Sequence, residues 1–81
     1  TYSDGFYLLG NAYFANGQID KAIAAYRKSL DLSPGFPRAV YNLGFVLVQK
    51  KDKAGALEQH RILTELDPKR ADQLKKEIDK L

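Results

Sequence analysis

The heptapeptide "YNLGFVL", residues 41–47, decides the fold. Its apolar residues read as helix, yet Gly44 sits in the middle. An interior helical glycine costs about 1 kcal/mol relative to alanine, so it needs a packing reason. The earlier stretch "LLGNAY", residues 8–13, has the same feature at Gly10. The two glycines are 34 residues apart.

Sliding the sequence against itself by that interval aligns much more. Tyr7 meets Tyr41, Leu9 meets Leu43, Ala22 meets Ala56, Arg27 meets Arg61, Leu32 meets Leu66 and Pro34 meets Pro68. Conservative pairs follow, Phe6 with Val40, Tyr13 with Leu47 and Ile23 with Leu57. So many matches in order mean a duplicated unit, and a duplication at this period fixes the architecture.

Each unit reads as two helices. Phe6, Leu9, Gly10 and Tyr13 fall at i, i+3, i+4 and i+7, which is one face of a helix. Ser3 or Asp4 is suited to cap its start. Asn16-Gly17 ends it, because glycine takes a left-handed conformation after the last turn. Ala22, Ile23, Tyr26 and Leu30 form the face of a second helix, which Pro34 stops. In the second unit Val40, Leu43, Gly44 and Leu47 repeat the first face, and Ala56, Leu57, His60 and Leu63 the second, before Pro68. The turn "QKKDK" at 49–53 has no glycine, and Asp52 is the expected cap there. No alternating strand pattern occurs, so the fold class is all-α.

The ordered pattern resembles the tetratricopeptide repeat, W-x2-L-G-x2-Y followed by A, an aromatic and P at period 34. Phe6, Leu9, Gly10, Tyr13, Ala22, Tyr26 and Pro34 carry it in the first unit. Val40, Leu43, Gly44, Leu47, Ala56, His60 and Pro68 carry it in the second. Phe6 and Val40 stand in place of Trp, and His60 in place of the aromatic. The resemblance implies an α-solenoid of two helical hairpins, at about 3–16 and 18–32, then 37–50 and 53–66, as one domain of two repeats, 3–36 and 37–70. The segment "ADQLKKEIDKL", 71–81, continues the register with Leu74, Ile78 and Leu81, but Ile78 fills the glycine slot. Two readings compete, the first helix of a truncated third repeat and a capping helix over about 70–80; the cap is preferred because Ile78 does not allow the close approach that glycine does and terminal repeats need a polar outer face. The chain begins at Thr1 rather than Met, from which it is expected to be a piece of a longer protein.

Composition narrows the function. A 44% hydrophobic, 28% charged chain has ordinary globular proportions. No cysteine is present, which removes disulfides, thiol catalysis and thiolate metal sites. It does not identify a compartment, and the cytoplasm is the default expectation. The net charge of +3 is spread as zero over 1–34, +1 over 35–68 and +2 over 69–81. That weak excess reads as solvation, with Lys50, Lys51, Lys53 and the basic tail as the residues for a nucleic-acid alternative. His60 is the only histidine, sits in a packing slot and has no metal-ligating neighbours. Ser3, Ser29 and Ser33 have no adjacent base, and no phosphate-binding glycine loop occurs. Neither an enzyme nor a cofactor site is expected.

The first helix of each unit is apolar on more than one face. At 100° per residue, Tyr7, Asn11 and Phe14 lie about a right angle from the packing face, and Tyr41, Phe45 and Val48 do so in the next unit. The family resemblance implies that these helices line a concave groove that binds a peptide or a partner helix. By register it would comprise Tyr7, Asn11, Phe14, Arg38, Tyr41, Asn42, Phe45 and Val48, with Lys75 and Lys76 at one end. Some family members clamp a partner's C-terminal carboxylate there. Asn11, Asn42 and Lys76 occupy matching slots, but Tyr7 and Asp72 stand where basic residues are needed. The rival expectation is self-association by repeat stacking. For Gly44 itself, the expected role is close approach within its own hairpin, with Ala56 opposite.

Overall fold

The computed structural model describes residues 1–81 and contains five helices and no strand. They are α1 (Tyr2–Ala15), α2 (Ile19–Leu32), α3 (Pro37–Gln49), α4 (Lys53–Leu66) and α5 (Pro68–Asp79). Consecutive helices pack on one another, and α5 also lies against α3. The slab that results measures 30 × 26 × 16 Å. No helix is long and apolar enough to cross a membrane.

The helix ends follow local chemistry. Thr1, rather than Ser3 or Asp4, caps α1: its hydroxyl accepts the Asp4 amide at 3.2 Å. Ser3 instead lies inside α1, buried against α2, where its hydroxyl donates to the Ser29 carbonyl at 3.1 Å. The Ser29 hydroxyl in turn donates to the Ser3 carbonyl at 2.8 Å. This reciprocal pair fixes the crossing of α1 and α2 with no buried hydroxyl unsatisfied. Asp52 caps α4 as expected, accepting the Gly55 amide at 3.0 Å. Asp67 caps α5, and Pro68 occupies the first turn of that helix, where its missing N–H costs nothing.

The two inter-helix turns share a backbone shape. Gly17 has φ +76° and Lys51, its counterpart 34 residues on, has φ +65°. In both turns the third residue past the helix is held by a carbonyl of the last turn: Gln18 N–H donates to Tyr13 O at 2.9 Å, and Asp52 N–H to Leu47 O at 2.8 Å. The second turn therefore keeps the geometry without the glycine that usually permits it.

The core is contributed mostly by α3. Val40, Leu43, Val46, Leu47 and Val48 join Ala22 and Tyr26 from α2, Ala56 and Leu63 from α4, and Ala71, Leu74 and Ile78 from α5. The register of α5 holds at Leu74 and Ile78, both 0% exposed, but fails at Leu81, which lies beyond the helix and is 48% exposed. Two further expectations need correction. A Cβ on Gly44 would meet Leu74 Cδ2 at 2.6 Å and Gln59 Cβ at 3.2 Å, so the partner of this glycine is α5 with Gln59, and not Ala56. Leu9, read as a packing residue, is 40% exposed, and Phe6 and Tyr13 are only half-buried. Their counterparts Val40, Leu43 and Leu47 are at most 2% exposed because α2 lies on α3, whereas no helix lies on that face of α1. Pro34 and Pro68 mark helix boundaries from exposed positions and His60 is half-buried.

Candidate functional site

α2 packs against both α1 and α3. Between them lies a cavity of about 360 Å³, open to solvent, lined by Asn11, Phe14, Tyr26, Tyr41, Asn42, Phe45 and Val46. Its walls are aromatic. Phe14 meets Phe45 edge to face at 5.9 Å, and Tyr41 stacks on Phe45 at 6.4 Å between ring centroids. Pairs of this geometry hold each other's orientation more firmly than apolar contact alone.

Its floor is polar and internally ordered. The Tyr26 hydroxyl donates to Asn11 Oδ1 at 2.5 Å, and Asn42 Nδ2 donates to the same oxygen at 2.9 Å. Both lone pairs of the Asn11 carbonyl are thereby used. Asn11 Nδ2 and Asn42 Oδ1 make no such bond, so two residues of the cavity lining keep a donor and an acceptor free. That is the complement of a peptide group. Burial pushes the Tyr26 phenol pKa up from its ordinary value, with the Asn42 amide opposing and Tyr7 reinforcing the rise. The phenol therefore keeps its proton at neutral pH and remains a donor to Asn11.

A second cluster stands beside the cavity. Tyr7 packs on Phe36 at 5.0 Å, and the Arg38 guanidinium lies 5.5 Å from the Tyr7 ring and 5.4 Å from the Phe36 ring. Phe36, in the loop before α3, escaped the sequence reading because it lies outside both helical faces. Tyr26 was read as packing alone, yet its hydroxyl reaches the cavity floor. Val46 also lines the cavity.

The expected groove residues thus divide. Asn11, Phe14, Tyr41, Asn42 and Phe45 come together around one cavity, and Tyr7 and Arg38 form the adjoining stack. Val48 does not line the groove: it is 8% exposed and belongs to the core, since α5 packs against α3. Lys75 and Lys76 are exposed on α5 and border no part of the cavity. Lys75 pairs with Asp79 at 2.9 Å, and these two residues are the counterparts of Tyr41 and Phe45. The aromatic wall ends where this ion pair begins. No cluster of His, Cys, Asp or Glu is placed to hold a metal ion.

Comparison with known proteins supports the repeat reading. A family model described as "TPR repeat" matches residues 10–51, just over half of the chain. Among curated proteins none matches the sequence. The match begins at the first packing glycine and ends at the left-handed Lys51, so it spans the C-terminal part of α1, all of α2, the linker and the whole of α3. The chain belongs to the TPR repeat family, whose members are generally protein–protein interaction modules.

Proposed function

We propose that the α1–α3 face binds an extended peptide, or the side of a partner helix, in the aromatic cavity above Asn11 and Asn42. The carrying observation is the ordered floor: Tyr26 and Asn42 fix the Asn11 amide, leaving one donor and one acceptor free inside an aromatic wall. The amide pair reads a backbone peptide group, and Phe14, Tyr41 and Phe45 receive one apolar side chain of the ligand. Because the polar floor is already arranged, binding costs less side-chain ordering than it would on a flexible surface. The counterparts of Asn42 and Phe45 on α5 are Lys76 and Asp79, so the ligand's apolar anchor belongs between α1 and α3 and not further along.

Selection of displayed random peptides on the protein tests this reading. Peptides that bind are expected to share an aromatic or large aliphatic anchor. Tyr41→Ala and Asn42→Ala are each expected to weaken their binding about tenfold or more, as for residues at the centre of an interface. Affinity unchanged in both variants, with the urea midpoint near that of the parent, removes the groove from the assignment.

A further inference from the structure

The two helices that carry the cavity walls, α1 and α3, hold one cation and one anion between them, Arg38 and Asp4. Arg38 stands exposed in the first turn of α3. A cation there opposes the positive end of the helix dipole, so the stability of α3 does not ask for it. Its guanidinium carbon lies 5.5 Å from the Tyr7 ring centroid and 5.4 Å from that of Phe36. Tyr7 in turn lies 6.2 Å from Tyr26, which lines the cavity. The stack therefore adjoins the cavity edge. None of the ion pairs of the molecule includes Arg38. A guanidinium over aromatic rings is held in place by them, and its N–H groups stay free for an anion.

The period of 34 puts Asp4 and Asp72 at the corresponding positions of α1 and α5. Neither is paired with Arg38. The row therefore reads acid, base, acid across three helices. Such a row accepts one carboxylate at its centre and repels a run of them. Spacing adds a second constraint. Arg38 precedes Tyr41 by three residues and Phe45 by seven, rises of about 4.5 and 10.5 Å along α3. An extended peptide lying along α3 advances about 3.4 Å per residue, with side chains two apart on the same side. A side chain over Arg38 is thus about two positions from one seated against Tyr41 and Phe45, and on the same side of the peptide.

We propose that Arg38 selects peptides carrying a single Asp or Glu side chain two positions from the apolar anchor, the carboxylate accepting from its guanidinium. This inference rests on the peptide reading of the groove and adds to it which peptides are chosen. It differs from capture of a C-terminal carboxylate, for which Tyr7 and Asp72 occupy the slots that need basic residues. Because Tyr7 and Phe36 already hold the guanidinium, pairing costs little further side-chain ordering.

The test uses a displayed library with one fixed leucine, random positions on both sides of it, and carrier sequence at both ends so that no terminal carboxylate is offered. Selection on the parent protein is expected to enrich a single Asp or Glu two positions from the leucine. Selection on Arg38→Glu is expected to enrich Lys or Arg at that same position. An enriched Glu peptide and its counterpart with Gln in place of that Glu are then compared by fluorescence anisotropy at low salt. Their affinities for the parent are expected to differ about fivefold, as for one favourable exposed ion pair, and not to differ for Arg38→Gln. Added salt is expected to narrow the difference. Leucine-dependent binding that Tyr41→Ala weakens, with no charge preference at the flanking position, overturns this inference and leaves the groove reading standing. Enrichment of acidic tracts overturns the selection of a single carboxylate. No enrichment at all, or binding that neither Tyr41→Ala nor Arg38→Gln changes, overturns the groove reading and this inference with it.

Discussion

The two hairpins carry the same signature and solve it differently. In the first, the glycine slot is filled from within: a Cβ on Gly10 would lie 2.6 Å from the Tyr26 ring, across the α1–α2 crossing. In the second, the counterpart of Tyr26 is the smaller His60, and the space over Gly44 is filled chiefly by Leu74 from α5, with Gln59 of its own hairpin beside it. The first hairpin closes on itself and leaves its outer face bare, whereas the second is enclosed by α2 on one side and α5 on the other. One sequence position therefore has two energetic meanings, set by which neighbours a unit has. This is the behaviour of a solenoid, in which unit and junction terms add.

The leucines at the shared position break or confirm that contrast most directly. Leu43→Ala removes a side chain that is 1% exposed and is expected to cost about 2–5 kcal/mol. Leu9→Ala, at 40% exposure, is expected to cost well under half as much, since less area leaves water there on folding and no closed cavity is left behind. Urea unfolding of both variants decides it. Equal losses mean that α1's outer face is covered in solution.

The glycines come next. Gly44→Ala and Gly10→Ala each force a neighbour to move and are expected to cost about 1–3 kcal/mol. Their rescue should differ. Trimming Leu74 to Val in the Gly44→Ala background relieves the contact, with a coupling of about 0.5–3 kcal/mol in a double-mutant cycle. Ala56→Gly in the same background is expected to show no coupling. Coupling to Ala56 instead of Leu74 restores Ala56 as the partner of this glycine.

The turns reverse the sign of the change. Lys51 is held at φ +65°, where a side-chain-bearing residue pays about 1–2 kcal/mol. Lys51→Gly removes that strain but loosens the unfolded chain, and a net gain of about 0.5–1 kcal/mol is expected. Gly17→Lys at φ +76° is expected to lose a similar amount. A lowered urea midpoint for Lys51→Gly means that the lysine side chain contributes something its backbone does not reveal.

The period of 34 made the architecture legible because it depends on spacing, and spacing survives the replacement of Trp by Phe6 and Val40. The Asp52 cap was legible for a similar reason, since capping is local. What could not be read was anything depending on the number of neighbours. A helical wheel treats Phe14 and Val48 as equals, and they are equals in register. Phe14 lines the cavity, while Val48 is buried because α3 has α2, α4 and α5 against it. The same blindness assigned Gly44 to Ala56 and placed Leu9 in a core. Tyr26 was hidden in another way. Its ring packs on Gly10 and its hydroxyl reaches Asn11, two roles that a pattern position cannot separate.

Those two roles give the smallest effect, a pH dependence that comes from Tyr26 in the first hairpin. Burial raises the Tyr26 pKa above its ordinary 10.0 in the folded protein. Below pH 10 both states hold the proton, and the stabilisation is fully present. As pH rises past 10 the unfolded chain releases that proton while the folded chain retains it. The unfolded state then binds fewer protons, and stability falls with pH until the folded phenol ionises in turn. Tyr26→Phe keeps the ring over Gly10 and removes the titrating group. The variant is expected to be less stable at neutral pH through loss of the bond to Asn11, by about 0.5–1.5 kcal/mol. Its stability is expected to fall less steeply than the parent's above pH 10, as read from urea midpoints through the alkaline range. Parallel curves for parent and variant mean that the phenol is as well solvated folded as unfolded, and the ordered floor beneath the cavity then has to be redrawn.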